Sequence, residues 1–169
     1  MKVSYFKGLK YTTPEYEVEL SEILKDIKNG KWKEIVEPCH ENINLKTLLP
    51  CFTPTGLFSH RSIKGLIEYN GNFCLDLDKV DEITKVYDEC KKIPWIYSIF
   101  TSPSGNGLKI IVRSNTISDN FKETEEKLAE MFFKIIGIRR DSNCKDIARI
   151  HFISYDPRTY INENSILFK

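Results

Sequence analysis

The stretch Asn72-Phe73-Cys74-Leu75-Asp76-Leu77-Asp78 decides how this chain is read. It is an apolar run that ends in two carboxylates separated by one residue. Residues i and i+2 of a strand share a face, so the run predicts a strand over 73–78 with Asp76 and Asp78 side by side. Two like charges that close repel unless a cation lies between them. Magnesium and manganese prefer oxygen ligands, and one or two carboxylates plus substrate phosphates complete their shell. The bland alternative is a strand that ends in a solvated acidic edge beside Lys79.

The next informative segment is Ser102-Pro103-Ser104-Gly105-Asn106-Gly107-Leu108-Lys109. It is rich in turn formers and opens onto an apolar strand carrying one lysine. Glycine lets a backbone approach a ligand closely, and successive N–H groups in such turns form anion-binding nests. Lys109 supplies a point charge suited to a triphosphate. No G-K-[ST] precedes a helix, so this is not a P-loop. The competing reading is an ordinary β-hairpin with Lys109 in solvent.

A third block, Arg139-Arg140-Asp141-Ser142-Asn143-Cys144-Lys145-Asp146-Ile147-Ala148-Arg149-Ile150-His151-Phe152, mixes acids and cations ahead of a strand. Asp141 or Asp146 can return to a metal, and Arg149 or the Arg139/Arg140 pair can grip a phosphate with two hydrogen bonds. A charged loop with local salt bridges is the alternative. His151 reads as a partly buried strand residue, and His40 and His60 show no partner pattern. Tyr155 to Tyr160 reads as a turn with aromatic packing.

Working outward, Val3–Phe6 is a strand. Ser21 caps a helix through Lys28 with Leu20, Ile23, Leu24 and Ile27 at helical spacing, and Gly30 stops it. A short helix around Trp32–Val36 closes at Pro38. Leu45–Phe52 is an apolar connector before the turn Thr53-Pro54-Thr55-Gly56, and Leu57–His60 a strand. Asp81–Lys92 has a helical period, and Trp95–Thr101 and Leu108–Arg113 are strands. Ser118 caps a helix to Ile136 with Phe121, Leu128, Met131, Phe132 and Ile135 on its buried side. Ile147–Tyr155 is a strand, and the tail a turn plus a short strand. Hairpin-like strand pairs mixed with helices predict an α+β sheet rather than strict β-α-β alternation.

The 169 residues suit a single domain, 1–169, with a sizeable core, and 41% hydrophobic with 29% charged residues is an ordinary globular profile. Net charge is +1, so any basic surface is local rather than global. No apolar run approaches the roughly 20 residues of a membrane span, and the amino terminus lacks a signal peptide's apolar region; the expected location is cytoplasmic. Five cysteines, with no C-x-x-C pair, read as free thiols.

Four blocks in order, L-L-P-x-F-T-P-T-G-x-F (Leu48 to Phe58), C-L-D-L-D (Cys74 to Asp78), S-P-S-G-N-G-L-K (Ser102 to Lys109) and D-x-x-x-x-D-x-A-R-x-x-F-I-S-Y-D-P (Asp141 to Pro157), resemble the VirE amino-terminal-like domain family. That family resembles a branch of the archaeo-eukaryotic primase (prim-pol) superfamily. The resemblance implies an RRM-like mixed or antiparallel sheet packed by helices, and a DNA primase/polymerase-like nucleotidyltransferase of a bacterial mobile-element or phage-type replication protein. It implies Asp76, Asp78 and Asp141 as catalytic ligands of Mg²⁺ or Mn²⁺, with Asp146 as an alternative to Asp141. Ser102, Ser104, Gly105, Gly107, Lys109 and Arg149 would bind the nucleotide. Lys109 stands where the superfamily usually has histidine. The implied partners are nucleoside triphosphates, a single-stranded DNA template and a helicase module, with no membrane. Two other classes remain: a catalytically inactive nucleic-acid-binding module that recruits a helicase, and a metal-dependent nuclease.

Overall fold

The computed structural model describes residues 1–141 and 146–169. In chain order its elements are β1 (Lys2–Phe6), β2 (Tyr16–Glu19), α1 (Leu20–Asn29), α2 (Lys33–Val36), β3 (Cys51–Thr53), β4 (Gly56–Phe58), β5 (Leu66–Tyr69) and β6 (Asn72–Leu77). They continue with α3 (Ile83–Cys90), β7 (Ile96–Thr101), β8 (Leu108–Arg113), α4 (Phe121–Ile136), β9 (His151–Phe152) and β10 (Tyr160–Ile161). Short 3₁₀ turns fill Glu37–His40, Ile43–Leu48, Ile63–Gly65 and Ser118–Asn120. Every pairing between these strands is antiparallel. The protein is therefore α+β with antiparallel sheets, and no helix among the described residues is long and apolar enough to cross a membrane.

The central sheet runs β10-β7-β8-β6, and a second runs β2-β1-β3-β9. Strand alternation assigns the two faces of the central sheet. Phe73, Leu75 and Leu77 of β6 and Leu108, Ile110 and Val112 of β8 join one core with Tyr87 and Cys90 of α3 and Phe121, Leu128 and Phe132 of α4. Ile111 of β8 and Tyr97 and Phe100 of β7 join the other, with Val3, Phe52 and the α1 residues Leu20, Ile23, Leu24 and Ile27. The central sheet is thus buried on both sides, which is why its strands read as near-continuous apolar runs. In β7 a register shift between Ile96 and Ser98 lets Ile96 and Ile99 enter the same core despite their odd spacing.

Setting aside β9, which joins the second sheet, the strands of the central sheet and the two helices follow one another as β6-α3-β7-β8-α4-β10, with β8 between β6 and β7. An antiparallel sheet packed by helices follows the expectation at that level. The last strand departs from it: β10 adds beside β7, and the chain leaving α4 instead touches the β6 edge through the Asp141 N–H to the Asp76 carbonyl at 2.8 Å. That contact delivers the third charged block to the first.

Several local expectations change. Strand β6 stops at Leu77, because Lys79 adopts a left-handed φ of 51° and turns the chain away, so Asp78 lies past the strand and is exposed. Ser21 sits inside α1, whose cap position is Glu19, and Asn120 rather than Ser118 precedes α4. Pro38 lies inside a 3₁₀ turn instead of closing a helix. On α4, Met131 and Ile135 are 37% and 54% exposed, and the buried face instead takes in Glu125, which Arg140 neutralises through an Nη2–Oε2 hydrogen bond of 2.7 Å and an Nε–Oε1 ion-pair contact of 2.5 Å. Only His151–Phe152 of the predicted 147–155 strand pairs in the sheet, and β2 was not foreseen. Cys39, Cys51 and Cys90 are free and buried, and Cys74 is buried in β6; Cys144 lies outside the described residues.

Candidate functional site

Asp76 and Lys109 face each other across the β6–β8 ladder. Alternation places both on the face shared with Ile111, which packs in the core that also holds Val3 and Phe52 of the second sheet. Lys109 Nζ donates to Asp76 Oδ2, and the two side chains are 4% and 7% exposed. A buried lysine is a costly group unless paired. The expectation of a solvated hairpin lysine is therefore replaced by a buried, paired one.

Arg149 and Asp141 close the same corner, with Arg149 Nη2 3.8 Å from Asp141 Oδ2. Arg149, Asp76 and Lys109 line a cavity of about 410 Å³, within the range of about 300–1,000 Å³ common for small-molecule sites. The remaining polar wall is Lys46 with Asn44 and Thr47, from the Ile43–Leu48 turn, and the apolar wall is Leu9, Ile43, Ile150 and Phe152. Burial and the neighbouring Lys109 push the Lys46 ammonium below its usual pKa, while Asp76 and Asp78 pull it back up. Exposed Asp78 thus acts on the cavity through its field. The recess of about 920 Å³ along α3 sets Asp81, Glu82, Asp88 and Glu89 against Lys85, a net negative wall for an anion, and one of about 610 Å³ is lined by Arg149 with Arg61, Lys64 and Asp146.

The glycine turn lies at the end of β8, outside the cavity wall. Gly107 packs against β6 so closely that a Cβ would stand 2.5 Å from the Leu77 carbonyl oxygen and 3.5 Å from Asp78 Cα. Gly105 has φ +77° and faces the His40 ring, which would stand 3.3 Å from its Cβ. Two N–H groups are used within the turn, Ser102 N to Gly107 O (2.8 Å) and Gly105 N to Ser102 O (2.9 Å). The Ser102 and Ser104 hydroxyls meet at 3.1 Å, and Ser104 donates to Asn106 Oδ1 at 2.8 Å. The turn therefore positions Lys109 and the end of β6, with part of its donor capacity spent on its own shape.

The block after Phe152 fixes the start of that turn. Asp156, 3% exposed, accepts from the Thr101 N–H (2.8 Å) and hydroxyl (2.7 Å), and Ser154 donates to the Thr101 carbonyl (2.6 Å). Earlier, the Thr55 hydroxyl donates to the Ile147 carbonyl at 2.6 Å, anchoring the approach to Arg149.

Asp76, Asp141, Lys109 and Arg149 thus converge, while Asp78, Ser102, Ser104, Gly105 and Gly107 form the adjoining strand end. Asp146 goes elsewhere: its Oδ1 accepts from Ala148 N at 2.8 Å, and it lines the neighbouring recess with Arg61 and Lys64. Arg140 is committed to Glu125, and Arg139 lies 4.0 Å over the Phe133 ring. Sequence reasoning missed Asn44, Lys46 and Thr47; the last two sit in Leu45–Phe52, read only as an apolar connector. It also undervalued His151, which is 1% exposed between Phe52 and Phe100. Burial first, then Lys109, hold its pKa down to about 3, with Asp76 opposing.

Among the described residues, no group of three or more His, Cys, Asp or Glu is placed to hold a metal ion. The fit must therefore be judged on two carboxylates. Asp76 and Asp141, joined through the 2.8 Å backbone bond, are hard oxygen donors that suit Mg²⁺ or Mn²⁺ arriving with a substrate's phosphates, not an ion caged by protein alone.

The fold and site define an α+β domain with a cation-lined pocket at the end of its central sheet. The family described as BT4734-like, N-terminal domain matches residues 44–161, well over half of the chain, and the protein belongs to that family. The match takes in every cavity residue except Leu9 and Ile43. No curated protein and no solved structure matches the chain.

Proposed function

We propose that this domain is a nucleotidyltransferase of the primase-polymerase type that takes nucleoside triphosphates against a single-stranded DNA template, alongside a helicase module in mobile-element replication. The supporting observation is the cavity in which Lys46, Lys109 and Arg149 surround the buried Asp76. Lys109 is paired with Asp76 and Arg149 with Asp141, so Lys46 adds a further positive charge to the cavity wall, and a triphosphate supplies negative charge to match it.

In this reading Lys46, Lys109 and Arg149 grip phosphate oxygens, and Asn44 and Thr47 hydrogen-bond the sugar or a phosphate. Ser102 to Gly107 hold Lys109 in place and present the Ser104 hydroxyl at the strand end. A primer 3′-hydroxyl passes its proton to solvent water and attacks the α-phosphorus in line. The bond from that phosphorus to the bridging oxygen breaks, and pyrophosphate leaves with the electron pair. The chain's contribution is positioning and charge, both realised before the reaction starts. Asp76 and Asp141, with Asp78 nearby, would hold Mg²⁺ or Mn²⁺, which supplies charge stabilisation at the attacking and leaving oxygens.

The second reading, a non-catalytic nucleic-acid-binding module, is favoured by one observation: Lys109 is already bonded to the carboxylate that the chemistry needs. Primer synthesis on single-stranded DNA with Mn²⁺ separates the two. The proposal expects labelled products and Mn²⁺-dependent nucleotide binding that Asp76→Ala/Asp78→Ala abolishes. Nucleotide binding unchanged in that double variant sinks it.

A further inference from the structure

The Asp76 carboxylate already holds a cation, and that cation belongs to the chain. Lys109 stands opposite it in register, and both side chains are nearly sealed from solvent. A carboxylate so buried must be matched by positive charge, and Lys109 provides it. A divalent ion seated on Asp76 would lie beside the Lys109 ammonium, and two cations at one carboxylate repel each other. The surroundings reinforce this, because Lys46 and Arg149 add positive charge on the cavity side.

Strand β8 is hydrogen-bonded on both edges, to β6 and β7, so the backbone at Lys109 is fixed. The side chain is not equally constrained: its flexible four-carbon stem carries three donors and reaches the cavity that Lys109 itself lines.

We infer that Lys109 is a built-in counter-ion that keeps a divalent metal off Asp76 until a nucleotide's phosphates draw the ammonium into the cavity. Metal and nucleotide are then coupled ligands: the phosphates take Lys109, and the carboxylate they release takes the metal they carry. This rests on the proposed nucleotide site and adds the order in which it fills.

The test is a Mn²⁺ titration of nucleotide-free protein, followed by paramagnetic resonance, on wild type, Lys109→Gln and Lys109→Gln/Asp76→Asn. Without nucleotide, Lys109→Gln takes up Mn²⁺ at least about tenfold more tightly than wild type, a typical scale for coupled sites. The added Asp76→Asn change removes that gain. Saturating wild type with a non-hydrolysable α,β-imido deoxynucleotide raises its Mn²⁺ affinity above that of protein alone and of analogue alone. By linkage, Mn²⁺ raises analogue affinity by the same factor. Equal Mn²⁺ affinity in wild type and Lys109→Gln overturns the inference. Should the glutamine variant unfold, Lys109→Met repeats the comparison with the stem retained. Wild type that never binds the analogue removes the proposed function and the exchange with it, while the metal comparison still decides whether Lys109 blocks Asp76.

Discussion

Lys109 and Asp76 form a buried ion pair directly across the β6–β8 ladder, at the mouth of the cavity. Removing Lys109 takes away the cation that faces Asp76 across the ladder, and removing Asp76 leaves Lys109 a buried cation; breaking such a pair costs about 3–5 kcal/mol. Lys109→Met and Asp76→Leu are each expected to lower stability on that scale in urea denaturation. The double variant Lys109→Met/Asp76→Leu recovers much of the loss, because it buries no charge. Additive losses would show that the two side chains are independent.

The Glu125–Arg140 pair ties α4 to the segment that presents Asp141. Arg140→Lys keeps the charge but not the planar guanidinium that both hydrogen-bonds and faces the carboxylate. It is expected to destabilise less than Arg140→Ala, which leaves Glu125 buried and costs about 3–5 kcal/mol. Thermal unfolding of both variants checks the order.

Asp156 governs the glycine turn through Thr101. Asp156→Ala removes three acceptor contacts, two to Thr101 and one to the Arg158 N–H, and should cost about 1–3 kcal/mol for the buried donors left behind. Because that turn positions Lys109, the same variant weakens nucleotide binding without touching the cavity wall. Unchanged binding in a folded Asp156→Ala protein would separate turn from site.

His151 makes stability pH-dependent. Its folded pKa, about 3 against a usual 6.5, is depressed, so the unfolded chain binds more protons between those values. Stability therefore falls as pH drops through that window, by up to about 1.4 kcal/mol per pH unit. His151→Phe, with a ring suited to the space between Phe52 and Phe100, removes this contribution. Denaturation curves from pH 6.5 down to 4 should be flatter for the variant than for wild type.

The sheet was legible in Asn72–Asp78 and Leu108–Arg113 because strands buried on both faces leave unbroken apolar runs. Alternation also placed Asp76 on one face, yet nothing local foretold that Lys79 would turn the chain before Asp78. Lys46 was invisible for a different reason. It sits in a turn without periodicity, and only the return of β9 beside that turn makes it part of a cavity. Glu125 likewise reads as a solvent-facing helix residue until Arg140 arrives from beyond the helix end. Lys109 was found as a charge near a turn, but its partner across the ladder is a matter of register, which spacing along the chain does not reveal.

The claim that Lys46, Lys109 and Arg149 seat a triphosphate is tested most directly by calorimetric titration of a deoxynucleoside triphosphate with Mn²⁺ into wild type and Lys46→Ala/Arg149→Ala. Each lost charge-assisted bond is worth about 1.5–3 kcal/mol, so the double variant is expected to bind at least about a hundredfold more weakly than wild type while melting normally. A folded double variant that binds as tightly as wild type, or a wild type that does not bind at all, contradicts the account.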